Sequence, residues 1–219
     1  MASAMKEAEI WNKRYAGSDA ARRAAYDPWL DRWSSLLPPG GPALDIGCGL
    51  GLDTEFLLGK GYAVTAIDFS GEAVRLTRGR NPRADVRLLG IDELATLKPA
   101  RFNLVLANLS LHYLTREGTE RAFETIHQLL MADGLFAFRL NASDDRNYGS
   151  PENASSWDRI EVEGIRKQFF TEEKIRTMTV GRFEIVSLEK MTTGRYGKEK
   201  RLFEGLVRPR SEGSFKNQP

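Results

Sequence analysis

Apolar and polar positions change their spacing repeatedly along this chain, and each change marks an element. Residues 5–15 place Ile10, Trp11 and Tyr15 at helical spacing. Tyr26, Trp29, Leu30, Trp33, Leu36 and Leu37 predict a second helix. Asp27 supplies its N-cap and Pro28 its first position. Pro38-Pro39-Gly40-Gly41 ends it. Short apolar runs then alternate with helical patterns. Strands are predicted at 43–46, 62–67, 85–89, 102–107 and 135–140, and helices at 52–60, 71–78 and 118–131. The run 102–107 is nearly all apolar, as a strand covered on both faces requires. Ala122, Phe123, Ile126, Leu129 and Leu130 form one face of the helix at 118–131, and Asp133-Gly134 closes it.

The last third has a different texture. Residues 141–167 read as a long polar loop, the kind that is functional or mobile. A helix is predicted at 171–180, and an antiparallel strand pair at 183–188 and 201–207 on the sheet edge. The tail 208–219 reads as frayed. The expected fold is α/β, Rossmann-like: a doubly wound, seven-stranded, mainly parallel sheet with an antiparallel edge strand, helices on both faces and an N-terminal helical cap. One domain is expected over 1–219. It comprises N-terminal helices (1–40), a ligand-binding core (41–140), an acceptor-side loop with C-terminal strands (141–207) and the tail.

Composition narrows the class of protein. With 219 residues the chain is long enough for a substantial core. Its 32 basic and 30 acidic residues leave a net charge of +2, so no strong field favours a nucleic acid or a membrane. Cys48 is the single cysteine, which excludes an internal disulfide and a cysteine metal cluster. No apolar run approaches spanning length and residues 1–7 hold no signal-like core, so a reducing, cytoplasmic setting is expected. Asp144-Asp145 is too small an acidic cluster for a metal site, and none is expected.

Candidate chemistry gathers at strand ends. The first strand–helix turn reads Asp45-Ile46-Gly47-Cys48-Gly49-Leu50-Gly51. Glycines let backbone approach a ligand closely, and the next helix offers free N–H groups. The dinucleotide fingerprint fails, because Leu52 stands at its third glycine. Asp45 would repel pyrophosphate but suits an ammonium group. The plain alternative is a tight turn with a capping acid. Asp68, about 20 residues past the glycines, either accepts ribose hydroxyls or caps the next helix, and Phe69 can pack on a nucleoside. Asp92 either accepts an adenine amino group or caps a short helix, with Ile91 against the ring instead. After the fourth strand comes Asn108-Leu109-Ser110-Leu111-His112-Tyr113.

These four segments in this order resemble class I S-adenosylmethionine-dependent methyltransferases over roughly residues 44–140. The resemblance implies S-adenosyl-L-methionine as cofactor and direct in-line methyl transfer. It implies Asn108 and Leu109 beside the methionine part, and Ser110 to Tyr113 facing the methyl group. Trp11-Asn12-Lys13-Arg14-Tyr15 is similar to the start of small tellurite-resistance and thiopurine-type methyltransferases, which implies Trp11, Arg14 and Tyr15 near the cofactor. Asn103 departs from the family's usual aspartate, at the strand end away from the ligand.

Methyl transfer from a sulfonium relies on positioning and desolvation more than on acid–base groups. If the acceptor carries a proton, His112 is the candidate base, against a structural role. Tyr113, Arg139, Tyr148, Arg195 and Tyr196 are candidate contacts for a small-molecule acceptor, against a solvated edge. Neither nucleic acid nor membrane is an expected partner, and a monomer or homodimer is expected. An NAD(P)-dependent oxidoreductase and a non-catalytic nucleotide-binding module are the alternatives.

Overall fold

The computed structural model describes residues 2–17, 25–152, 154 and 157–210. Its strands are β1 (Gly41–Ile46), β2 (Tyr62–Asp68), β3 (Asp85–Leu88), β4 (Phe102–Asn108), β5 (Leu130–Asn141), β6 (Ile160–Val162), β7 (Ile165–Lys167), β8 (Phe183–Thr193) and β9 (Lys200–Pro209). Its α-helices are α1 (Ala2–Ala16), α2 (Leu52–Gly59), α3 (Gly71–Arg80), α4 (Arg116–Leu129) and α5 (Glu172–Thr179). One sheet has the order β3-β2-β1-β4-β5-β9-β8, and β6-β7 is a separate hairpin. Strands β1 to β5 pair in parallel. Strand β9 runs antiparallel to both β5 and β8, so this hairpin finishes the sheet with the reversed strand one place in from the edge.

Alternation of side chains along the parallel strands divides the core into two layers. Leu44 and Ile46 join Phe123, Ile126 and Phe136 on the side of α4. Ala43 and Ala66 face Leu57 and Val74 on the other side, where Trp29 and Trp33 also pack. Helix α4 starts where the Thr115 hydroxyl accepts from the Gly118 N–H, and it drives Phe123 edge-on against Phe136 and Phe138.

The structure corrects four local expectations. The second N-terminal helix is a 3₁₀ turn, Pro28–Trp33, and the Asp27 side chain does not cap it. Asp27 instead accepts from the Arg139 guanidinium at 2.7 Å. Asp133-Gly134 lies within β5, where a Cβ on Gly134 would sit 2.9 Å from the Phe102 carbonyl oxygen. The supposed loop 141–167 contains the β6-β7 hairpin and a 3₁₀ turn at Arg146–Tyr148. Of the supposed tail, Arg208 and Pro209 belong to β9, while 211–219 fall outside the described residues. Among the described residues no helix is long and apolar enough to cross a membrane.

Candidate functional site

From β1 the chain moves outward to β2 and β3, then returns to the other side of β1 with β4 and β5. That reversal leaves a crevice beyond the carboxyl ends of β1 and β4, where ligands bind in open α/β sheets. A cleft of about 1190 Å³ lies there.

Its floor is the turn after β1. Gly47 and Gly49 adopt φ of 73° and 52°, a region side chains rarely enter. A Cβ on Gly47 would lie 2.5 Å from the Ser110 Cβ, and one on Gly49 would lie 2.9 Å from the Tyr15 hydroxyl. Gly47, Cys48, Gly49 and Leu50 all line the cleft. Gly51 does not. Its φ of 73° places it against Asn81, whose Nδ2 donates to the Gly51 carbonyl at 2.8 Å. Gly51 therefore packs α2 on α3 rather than touching a ligand.

Asp68 stands at the end of β2. One carboxylate oxygen accepts from the Gly49 N–H at 3.0 Å and the other from the Ser70 N–H at 2.9 Å. It thus fixes the glycine turn and its own loop together. Capping of α3 falls to Ser70, whose hydroxyl accepts from the Ala73 N–H. Burial pushes the Asp68 carboxyl above its usual range, against the hydrogen bonds that favour its charged form. Phe69 lies beside it on the cleft, 38% exposed. After β3, Glu93 and not Asp92 accepts from the Gly90 N–H at 2.9 Å, which leaves Asp92 free on the cleft wall with Ile91. Asn108, Leu109, Ser110 and Tyr113 line the wall after β4.

Helix α1 covers this crevice with Trp11, Arg14 and Tyr15. Trp11 stacks on Tyr15 at 5.6 Å between ring centres and meets the Tyr113 edge at 5.2 Å. Asn12 Oδ1 accepts from the Ser70 hydroxyl and the Glu72 N–H, which ties α1 to the start of α3. Arg195 and Tyr196, on the β8–β9 turn, reach the cleft from the other side.

Four further expected site residues lie elsewhere. Asp45 is 1% exposed, lies behind the turn and does not line the cleft; its Oδ2 accepts from the Thr54 hydroxyl at 2.6 Å. Burial, then the Asp53 charge, pushes its carboxyl up to about 8. His112 is 2% exposed and points away, with its ring 4.1 Å from the Tyr113 ring. Burial holds it well below its ordinary pKa, helped by Lys200 and Lys167. It is a buried neutral imidazole, out of reach of a molecule in the cleft. Arg139 is consumed by ion pairs with Asp27 at 2.7 Å and Glu204 at 3.0 Å. Tyr148 donates its hydroxyl to the Tyr196 carbonyl at 2.6 Å, beneath the Lys200 ammonium, so it braces the β8–β9 turn.

Sequence reasoning overlooked Asp53, which lines the cleft from the first turn of α2. It accepts from Trp29 Nε1 at 3.0 Å and from Asn108 Nδ2 at 2.8 Å. Burial pushes this carboxyl up as well, opposed by those two hydrogen bonds.

Asp45 gives a stability prediction. Its folded pKa of about 8 exceeds the unfolded value of 3.8, so the folded state binds the extra proton between them. Stability is then fully present below the unfolded value and falls as pH rises toward 8. Asp45→Asn removes that titration. Thermal unfolding is expected to show the variant gaining on the wild type from pH 5 to pH 8. A constant gap across that range would contradict the burial argument.

Comparison with known proteins adds a family. Residues 43–134, from β1 to the start of β5, match a family model described as a methyltransferase domain. A malonyl-[acyl-carrier protein] O-methyltransferase of Enterobacter lignolyticus is 28% identical over 138 residues, 63% of this chain and 52% of that enzyme. The chain thus spans about half the length of that relative. Among solved structures, an S-adenosylmethionine-dependent methyltransferase from Anabaena variabilis superposes with a TM-score of 0.72 at 20% identity, covering 95% of each chain. A Burkholderia thailandensis 1,6-didemethyltoxoflavin-N1-methyltransferase, with 1,6-didemethyltoxoflavin and S-adenosylhomocysteine bound, superposes with a TM-score of 0.66 at 21% identity, over 96% of this chain and 89% of that one.

Proposed function

Starting from the membership of this chain in the class I S-adenosylmethionine-dependent methyltransferases, we propose that it transfers the donor's methyl group directly to a small-molecule acceptor held in the same cleft. One observation carries the reading. Strands β3, β2, β1 and β4 are neighbours in that order, and residues at or just past their ends line one crevice: Asp92, Asp68, Gly47 to Gly49, and Asn108. Three strand spacings give this row a length of roughly 14 Å. That suits an extended nucleoside with an amino-acid tail, its adenine at Asp92 and Phe69, its ribose hydroxyls at Asp68 and its tail beside Asn108 and Leu109.

The fit to this donor holds at two places in the structure. The turn presents bare backbone to the cleft at Gly47 to Gly49, where a Cβ on Gly47 would strike Ser110 and one on Gly49 the Tyr15 hydroxyl. The Asn108 Oδ1 is a buried acceptor with no partner among the described residues. When bound, S-adenosylmethionine supplies an electrophilic methyl group on a positively charged sulfur. The chain's own part is to bind, orient and keep water away. Trp11, Tyr15 and Tyr113 wall the crevice with aromatic surface. The Tyr15 hydroxyl is held well above its ordinary pKa by burial and by the Asp68 charge, so it stays a neutral donor.

The volume supports a small acceptor. A single-ligand pocket occupies roughly 300–1,000 Å³, and about 1190 Å³ leaves space beyond the donor. Arg195 and Tyr196 border that space, and Arg139 and Tyr148 support them from behind. The Burkholderia thailandensis neighbour, which shares the fold, holds 1,6-didemethyltoxoflavin together with S-adenosylhomocysteine, in keeping with this reading.

Incubation with methyl-labelled S-adenosylmethionine and a cell extract, followed by separation by size, tests the acceptor class. Label is expected in the small-molecule fraction. Label confined to protein or nucleic acid would overturn that part of the reading.

A further inference from the structure

We propose that Asp53, with the Asn108 amide oxygen beside it, is the seat of the donor's α-ammonium group, in place of Asp45. The proposal rests on the donor reading above and names the residues that hold one end of that molecule.

Charge accounting at this end of the cleft leads to Asp53. Asp27 is met by Arg139 at 2.7 Å and by Arg195 at 3.8 Å. Glu204 is met by Arg139 at 3.0 Å and by Arg32 at 2.9 Å. Asp53 has no cation within ion-pair distance among the described residues. Its two hydrogen bonds, from Trp29 Nε1 at 3.0 Å and Asn108 Nδ2 at 2.8 Å, come from neutral groups. Arg139 acts on this half-buried carboxylate only from beyond ion-pair distance, so its charge is incompletely offset where it lines the cleft.

Asn108 supplies an independent observation. Its Nδ2 is spent on Asp53, and that contact fixes which side of the amide carries oxygen. The Oδ1 is then left buried without a hydrogen-bond donor. The pair therefore lacks a positive charge at contact distance and at least one N–H. A primary ammonium brings both, with three donors.

Position along the sheet identifies whose ammonium it is. Asn108 ends β4, the last strand in the row that begins beyond β3 at Asp92. The segment after it packs on the glycine turn, since a Cβ on Gly47 would strike Ser110. With the adenine at the Asp92 end, the opposite end of the donor falls at Asn108 and Asp53. Asp45 has no such access. It is 1% exposed, off the cleft, and already bound by Thr54.

Calorimetric titration with two ligands tests this. S-adenosylhomocysteine carries the ammonium, and 5′-methylthioadenosine has the same nucleoside without the amino-acid tail. Asp53→Asn is expected to weaken S-adenosylhomocysteine at least about tenfold and to leave methylthioadenosine within about twofold. If the asparagine variant does not fold, Asp53→Ser is expected to give the same split, since it removes the charge without setting an amide against Asn108. Equal weakening of both ligands, or of neither, would overturn the assignment. So would a variant that binds S-adenosylhomocysteine normally and loses only an amine acceptor. Wild-type protein that binds neither ligand would instead sink the donor reading itself.

Discussion

Replacing Asp68 by alanine is expected to weaken S-adenosylhomocysteine binding by at least about 100-fold. Two hydrogen bonds from ribose hydroxyls to a carboxylate contribute about 1.5–3 kcal/mol each, and each 1.4 kcal/mol is tenfold. A second effect adds to the first. Asp68 accepts from the Gly49 N–H at 3.0 Å and from the Ser70 N–H at 2.9 Å, so its loss also frees the glycine turn and the start of α3. Calorimetry on Asp68→Ala and Asp68→Asn separates the two. Asparagine keeps one oxygen for the backbone, and its affinity is expected to lie between alanine and wild type. Wild-type affinity in the alanine variant would remove Asp68 from the ribose site.

Arg139→Ala is expected to be the most destabilising single change near the cleft, by about 3 kcal/mol, because it strips the more buried of two arginine partners from buried Glu204 and half-buried Asp27. Arg139 is 3% exposed and joins Asp27 at 2.7 Å to Glu204 at 3.0 Å. Its guanidinium also lies 5.5 Å from the Trp29 ring centre, and Trp29 holds Asp53. The loss therefore reaches the site through the tryptophan. Urea unfolding is expected to show a lower midpoint with an unchanged slope. Arg139→Met combined with Glu204→Leu is expected to recover much of the stability, since apolar pairs of similar size replace buried ion pairs at little cost. A midpoint for Arg139→Ala equal to wild type would show that Arg32 and Arg195 already neutralise these acids.

The parallel core was legible in the sequence because its signals are local. Strands β1, β2 and β4 each announce themselves by a short, mostly apolar run, β3 by alternation, and the glycine turn by its residues. Most of the cleft floor was legible for the same reason: Gly47, Gly49, Asp68 and Asn108 lie at or just past strand ends. Where local rules and distant partners compete, the reading fails. Asp27 looks like a helix cap, but Arg139, 112 positions away, takes its carboxylate. Asp53 looks like an ordinary acid in a first helical turn. Its burial depends on Trp29 and Asn108, 24 and 55 positions away. His112 is placed by sequence at the mouth of β4, yet the chain turns its ring into the interior.

The β6-β7 hairpin was missed for a different reason. Its turn holds Glu163 and Gly164 at φ of 53° and 77°. Two consecutive left-handed residues are normally announced by Asn-Gly or Asp-Gly, and glutamate gives no such signal. Gly134 shows the converse. It reads as a helix stop, but its missing side chain serves the close approach of β5 to the Phe102 carbonyl. The side of the cleft bordered by Arg195 and Tyr196 is assembled from the residues before the Pro28–Trp33 turn, the β8–β9 turn and α1, which no single sequence window contains.

Titration of the wild-type protein with S-adenosylhomocysteine tests the central claim most directly. The predicted result is saturable one-to-one binding in the micromolar range, about −8 kcal/mol, with NAD and NADP giving neither heat nor thermal stabilisation. Folded protein that ignores S-adenosylhomocysteine but is stabilised by NAD or NADP would contradict it.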